Sequence, residues 1–358
     1  GTLIGDLNAM IAAARMGEKR YLQLIDRYGL DVIRQATQDI FNATEAKYRE
    51  FISSIPDGVY EEEGYNDNDS VTDDPVLVRV KVTIAGDEIT VDTTGSDKQH
   101  AGNINAGLPS TKAMAKLALA FLYPSPVPEV NHGSFIPVHV IAERGSIFWV
   151  QEPAAGMRPV PIMLLLDLIF KALAPAVPYA VNAGFSRRLR YAITGTDPRN
   201  GRRFIWHFFM ARGGGGASLG FDGWSNVGEV QAVGGIRAPS VEVTEERFPF
   251  FIRYQEMRPD SGGDGQWRGG LGATCELVYE GDEIATFNTA GDGIINPPFG
   301  LFGGLPGKPH RYSVFLDGVE RQLGSKESGV LVNPGDRIVC LSSGGGGYGD
   351  PSKRSRKL

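Results

Sequence analysis

The chain has 358 residues, of which 42% are hydrophobic and 22% charged, with a formal net charge of -6. That length suits about two domains or one large one, and the apolar share suffices for a substantial core. The acidic balance excludes a general nucleic-acid binder, which needs clustered cations; the one basic cluster, Lys353-Arg354-Ser355-Arg356-Lys357, reads as a solvated tail.

Residues 5–28 read as a helix, with Leu7, Met10, Ile11, Ala14, Met16, Leu22 and Leu24 at near-helical spacing and Gly29 as a stop. A second helix opens at Asp31 and runs to Ser53. The short connection predicts an antiparallel pair. Pro56-Asp57-Gly58 is a turn signal and a boundary, giving a helical segment over 1–56 and a β-rich domain over 57–358. Val76–Ile84 alternates as a half-buried strand does, Ala85-Gly86-Asp87 turns, and Glu88–Thr93 returns. Ser110–Leu122 is a helix with Ser110 as its N-cap. Phe135–Ile141 and Ser146–Val150 read as strands. The longest apolar run, Val160–Ala174, is interrupted by Asp167 and Lys171 and too short to span a bilayer, so it reads as a buried helix starting near Arg158. Beyond residue 200 the pattern is short strands and glycine-rich connections. The fold class is therefore α+β: a helical pair, then a mostly antiparallel β region holding glycine-rich loops and a buried helix.

The 2 cysteines, Cys275 and Cys340, lie in strand-like apolar runs and read as buried small hydrophobes rather than metal ligands. With no visible signal peptide, this fits a reducing cytoplasm. Four segments can carry chemistry. Asp92-Thr93-Thr94-Gly95-Ser96, followed by Gly102-Asn103-Ile104-Asn105-Ala106, clusters hydroxyls and amides suited to a polar substrate, or to turn chemistry alone. His132, in a loop beside Gly133, is a candidate base, against the alternative that it merely orders the loop. Arg212 with Gly213, Gly214, Gly215 and Gly216 can present a row of backbone N–H groups to an anion; close backbone packing is the alternative. No lysine follows, so it is not a nucleotide phosphate loop. Arg258 can bind a carboxylate or phosphate in bidentate fashion, within a segment rich in turn chemistry. No metal constellation is marked by the sequence.

Three glycine-rich signatures follow one another near the C-terminus: Arg258-Pro-Asp-Ser-Gly-Gly-Asp-Gly-Gln-Trp-Arg-Gly-Gly-Leu-Gly272, then Gly291-Asp-Gly293 with Pro297-Pro-Phe-Gly-Leu-Phe-Gly-Gly-Leu-Pro-Gly307, then Ser343-Gly-Gly-Gly-Gly-Tyr-Gly-Asp-Pro351. With the Gly5-Asp6-Leu7 helix and the Asp-x-Thr-Gly-Ser segment, they make the chain resemble the C-terminal part of the hydantoinase B family. That group includes N-methylhydantoinase, 5-oxoprolinase and the acetone and acetophenone carboxylases. The resemblance implies a subunit of an ATP-dependent complex, in which a hydantoinase A-like partner binds ATP and Mg and phosphorylates the substrate oxygen. This chain's side would then hydrolyse a cyclic amide of the hydantoin or 5-oxoproline type; a ketone carboxylase subunit and a non-catalytic scaffold are the alternatives. It further implies a second polypeptide supplying a preceding N-terminal half, where a divalent Mn or Zn would sit, with no cofactor, nucleic acid or membrane bound by this chain alone. Under the resemblance Thr94, Gly95 and Ser96 gain a substrate-binding role, Asn105 a catalytic one, and residues 213–216 a place along the active cleft; His132 is a catalytic candidate on its own chemistry, since the family carries no obligatory histidine there. Gly156-Met-Arg-Pro-Val-Pro161 departs from the Gly-x-x-Glu-Thr-Ser of many amidohydrolase members and leaves the substrate open.

Overall fold

The computed structural model describes residues 2–124, 129–152, 160–207, 210–230, 235 and 238–355. Helix α1 (Thr2–Tyr28) and helix α2 (Leu30–Ser53) are separated by Gly29 alone, at φ 81°. A single residue in the left-handed region ends one helix and starts the next, a conformation glycine adopts freely. The expected antiparallel packing of the two does not form. Leu3, Met10 and Leu22 of α1 are exposed, at 72%, 68% and 56%, so α2 does not cover them. Only the C-terminal half of α2 docks, through Tyr48, Phe51 and Ile52.

The first sheet has the order β1-β2-β3-β4. Strands β1 (Gly58–Asn66), β2 (Val76–Ala85) and β3 (Glu88–Asp92) form an antiparallel meander, and β4 (Val138–Ile141) joins β3 in parallel. The period-2 pattern of β2 sends Val76, Val78, Val80, Val82 and Ile84 into the core. Gly86, at φ 62°, makes the β2–β3 turn as the sequence predicts. Helix α3 (Leu108–Leu122) begins earlier than expected. Gly107 is its N-cap and Pro109 sits in the first turn, so Ser110 lies inside the helix. Ser146–Val150 is a turn with one isolated bridge to Lys98, not a strand, and Gly133–Phe135 is a 3-10 turn ahead of β4. Helix α4 (Val160–Leu173) buries every residue but Lys171, against β1, β2 and α3. Each fully buried Leu, Ile or Phe here contributes roughly 1.5–3 kcal/mol, so α4 is the main anchor of the first core. Its expected start near Arg158 lies outside the described residues.

Two further sheets build the C-terminal half. One pairs β5 (Tyr191–Asp197), β6 (Arg202–His207), β9 (Ala285–Thr289) and β12 (Val330–Val332). The other pairs β7 (Phe250–Met257), β8 (Ala273–Tyr279), β10 (Arg311–Leu316), β11 (Val319–Leu323) and β13 (Arg337–Leu341). A short helix, α5 (Val241–Arg247), precedes β7 and is capped by Ser240. Inward residues of both sheets, among them Tyr191, Phe287, Phe250, Tyr279, Tyr312 and Ile338, share one core. Cys275 and Cys340 face each other across β8 and β13 inside it, as buried apolar residues.

Between the two cores the glycine-rich segments run side by side as extended chain outside any ladder. The amide of Gly214 donates to Ser343 O, Gly215 to Trp224 O, Gly270 to Gly215 O, Gly345 to Gly270 O, Gly263 to Gly345 O and Gly346 to Gly184 O. Each segment therefore bonds to several neighbours, and the backbones lie too close for side chains. A Cβ on Gly214 would come within 1.9 Å of Gly270 O, on Gly345 within 1.9 Å of Gly215 O and on Gly344 within 2.0 Å of Ser261 O. The logic is that of collagen, where only glycine fits the crowded axis.

Candidate anion-binding cleft

Where α4 meets the glycine segments, the chain running into β5 reads Phe185-Ser186-Arg187-Arg188-Leu189-Arg190. Its arginines are held, not free. Arg187 Nη1 donates to Asp167 Oδ2 of α4 at 2.8 Å, and both side chains are over nine-tenths buried. Burial pushes the Asp167 carboxyl up to about 6, against the pull of Arg187. Behind Arg187, Nε2 of His310 is 2.7 Å from Arg187 O, and its Nδ1 accepts from the Ser343 amide at 2.8 Å. An acceptor at Nδ1 places the proton on Nε2. Burial drives the His310 pKa down to about 4, so this histidine is neutral. Ser343 Oγ and Ser186 Oγ are 3.1 Å apart, and Ser186 Oγ donates to Arg187 O at 2.9 Å. Despite the Ser–His proximity this group is a structural network: all three are buried.

Ser186, Arg187 and Arg190 line a cleft with Arg212, Gly213 and Glu229. Arg212 is fixed at its backbone: its amide donates to Asn226 Oδ1 at 3.1 Å, and its carbonyl accepts from Ser342 Oγ at 2.6 Å. Its aliphatic stem lies 3.5 Å from where a Cβ of Gly228 would be. Its Nε and Nη2 are buried without a hydrogen-bond partner among the described residues, and desolvation lowers its pKa. A second, adjoining cleft is lined by Asn66, Asp167, Arg187, Arg188 and Asp292.

Below it lies a carboxylate knot. Asp67 accepts from the amides of Gly293, Ile294, Ile295 and Asn296 at 2.8, 2.8, 3.2 and 3.1 Å. Four consecutive N–H groups around one carboxylate form a nest, helped by Gly293 at φ 90°. Asp292 in turn accepts from Asn66 Nδ2, from the Asp67 amide and from Lys326 Nζ at 2.9, 2.8 and 3.2 Å. The end of β1 is thus tied to the C-terminal half.

The residues singled out by sequence fall in separate places. Arg212 and Gly213 line the cleft. Gly214 and Gly215 turn their amides to Ser343 O and Trp224 O, so these two are taken up by packing rather than offered to an anion. Gly216 would bring a Cβ to 1.8 Å from Ala183 O. Ser96 Oγ clasps both the amide and carbonyl of Arg79 at 2.9 and 3.0 Å. Gly95, at φ 89°, permits that turn, and the Thr94 amide donates to Asp92 Oδ1. Asn105 is fully buried, its amide group bonded to His100 O and Gly102 O and its oxygen to the His100 amide. His132 packs edge-on to Phe41 of α2 at 5.4 Å. Neither it nor Asn105 is among the residues that line the cleft. Arg258 Nη1 donates to Pro309 O and Ser342 O at 2.7 and 3.0 Å, and meets no carboxylate. The divergent segment at residues 156–161 lies outside the described residues up to 159. Sequence reasoning misses Asp67, Asp167, the run 186–190, Asp292 and His310. Three arginines in four residues just before a strand are the available signal. Among the described residues no three His, Cys, Asp or Glu are grouped to hold a metal, and no helix is long and apolar enough to cross a membrane.

Comparison with known proteins follows the whole fold. The hydantoinase B/oxoprolinase family model matches residues 1–351. A Pseudomonas sp. (strain NS671) chain, provisionally named as the B component of a D-/L-hydantoinase, is 31% identical over 98% of this chain and 60% of its own length. The beta chain of the caprolactamase from Pseudomonas jessenii is 29% identical over 98% of this chain and 61% of its own. The crystal structure of the ATP-dependent caprolactamase from that organism superposes with a TM-score of 0.87 at 28% identity, over 98% of this chain and 62% of the other. Acetone carboxylase in its nucleotide-free structure shares the fold, with a TM-score of 0.85 at 17% identity over 98% of this chain and 53% of the other. This chain thus spans about three-fifths of the length of the first two relatives.

Proposed function

The chain belongs to the hydantoinase B/oxoprolinase family, and from that premise we propose that it is one component of an ATP-dependent complex acting on a cyclic amide. The relatives above carry the names of a hydantoinase and a caprolactamase. Hydantoins and caprolactam are both cyclic amides, which favours ring opening over ketone carboxylation. In this reading a hydantoinase A-like partner binds ATP with Mg and phosphorylates the amide oxygen. Residues 1–55 form the surface on which another component of the complex docks.

The observation that carries the reading is the arginine-lined cleft at the junction of the two cores. Ring opening of a phosphorylated amide builds negative charge on oxygen, and preorganised donors in a site shielded from water stabilise such charge most effectively. Arg212 has such donors. Thr94 and His132 lie away from the cleft, and Ser96, Asn105 and Arg258 hold loops in place, so their proposed contribution is to shape the site. The described residues offer no set of ligands fitting a divalent metal, and no step is assigned to one.

Reconstitution of the complex from the protein and an A-like partner tests the reading. ATP hydrolysis should be coupled to ring opening of a hydantoin, 5-oxoproline or caprolactam. Turnover only with a ketone plus bicarbonate would move the chain to the carboxylase branch, and unchanged turnover after Arg212→Gln would remove the cleft from the mechanism.

A further inference from the structure

The cleft beside the tetraglycine segment has more than its share of cationic donors. Three arginines, Arg187, Arg190 and Arg212, and one acid, Glu229, line it. Asp167 is committed to Arg187 from the other side. Nε of Arg187 is buried without a hydrogen-bond partner among the described residues, as are Nε and Nη2 of Arg212. A buried guanidinium N–H left unmade is costly, by about 1–3 kcal/mol or more for a charged group. Such groups in a native structure call for an explanation, and a bound acceptor is one. The supports are rigid. Arg212 is pinned through Asn226 and Ser342 on its backbone and lies against Gly228. Arg187 is pinned by Asp167 and, through its carbonyl, by His310 and Ser186. A Cβ at Gly213 would stand 1.7 Å from Ser186 Oγ, so the floor between the two arginines is closed to any side chain there.

We propose that this cleft is an oxyanion site, with Arg212 as the principal ligand and Arg187 and Arg190 as supporting cations, and that it takes a phosphate-type group. Guanidinium presents paired N–H donors in a fork that matches phosphate oxygens. The inference rests on the reading above only for the natural ligand, a phosphorylated substrate. Anion capture by the chain itself needs neither ATP nor a partner polypeptide.

The test uses the 358-residue chain and inorganic phosphate, followed by titration calorimetry and 31P line broadening at low salt. Saturable binding is expected, with affinity falling at least about tenfold in Arg212→Gln, the loss of one charge-assisted contact, and unchanged in Lys98→Gln, a surface control. Absence of binding to the native chain, or equal binding by Arg212→Gln, overturns the site. So does acetate binding more tightly than phosphate, which would mark a carboxylate site. If Arg212→Gln does not fold, phosphate protection of Arg212 from phenylglyoxal, read by mass spectrometry on the native chain, decides instead; lack of protection counts against the site. Phosphate binding by the chain together with normal turnover of the Arg212→Gln complex would leave the anion site standing while sinking its use in ring opening.

Discussion

Gly345 is among the backbone positions that tolerate a side chain least. Its Cβ would collide with Gly215 O at 1.9 Å, and both atoms belong to main chain that cannot swing aside. Gly215 differs: a Cβ there meets Phe185 and Val227 side chains at 3.2 and 3.3 Å, which can give by a few tenths. Gly345→Ala is therefore expected to destabilise by about 3 kcal/mol or more, as overpacking does at its upper end. Gly215→Ala should cost about 1 kcal/mol or less. Urea titrations of the two variants check this, and equal losses would refute the backbone-packing account. Two buried titrating groups give a second prediction. His310 is neutral when folded, with its pKa near 4 against an ordinary 6.5. The unfolded chain binds the extra proton between those values, so this term lowers stability as pH falls from 6.5 to 4, by up to about 3 kcal/mol. Asp167 acts in the opposite sense. Its folded pKa near 6 exceeds its ordinary 3.8, so its term is present at low pH and lost as pH rises through 6. Asp167→Asn should therefore steepen the rise of stability with pH between 4 and 6.5. An unchanged slope in pH-dependent denaturation would exclude Asp167 as the opposing group.

At the scale of elements, β1 and the loop after β9 are joined through Asp292 and, with four amides on it, through the Asp67 carboxylate. Removing it in Asp67→Ala strands four amides, among them Gly293 N and Ile294 N at 2.8 Å. At about 1–3 kcal/mol for each buried group left unmade, partly relieved by water, a loss of about 3 kcal/mol or more is expected. Hydrogen exchange of the Gly293–Asn296 amides would report it, since they should lose protection in the variant. Much of this level is legible in the sequence. The period-2 run of β2, the Gly86 turn and the apolar α4 are each where local pattern puts them, because each is decided by its own residues and one buried face. Ser146–Val150 has the composition of a strand but, among the described residues, only one bridge to pair with, and becomes a turn. The helical pair is read correctly, but not its antiparallel packing, because spacing reports which residues share a stripe, not what covers them. Asp67 and His310 escape a sequence reading for the same reason. Their partners lie 226 and 123 residues away for the bonds to Gly293 and Arg187, and no local window contains both ends. The tetraglycine segment reads correctly as a place of close approach, but the approaching group is the chain's own backbone.

For the whole molecule, the outstanding surface is α1. Leu3, Ile4, Leu7, Met10 and Ile11 are all at least half exposed, and a contiguous apolar stripe of that size marks an interface. In the proposed complex this arm meets another polypeptide. Leu7→Glu with Met10→Glu should leave the melting temperature of the chain unchanged and abolish co-elution with its partners in size-exclusion chromatography with light scattering. Co-elution unaffected by both changes would place the interface elsewhere.

The glycine bundle also bears on how the chain is made. Its strands come from residues near 184, 215, 263–270, 300 and 345, and the last of these, Ser343–Gly347, touches most of the others. On a ribosome that piece emerges after all the other glycine segments, at about 5–20 residues per second. Until then Gly214 and Ala217 lack the carbonyls of Ser343 and Gly346 that accept from their amides, while Gly215 and Gly270 can pair only with Trp224 and with each other, so the earlier glycine stretches wait half-paired beside two nascent cores. A nascent polypeptide stalled before Leu341 should stay sensitive to protease across residues 213–225, and release of the full-length product should close that window in a single step.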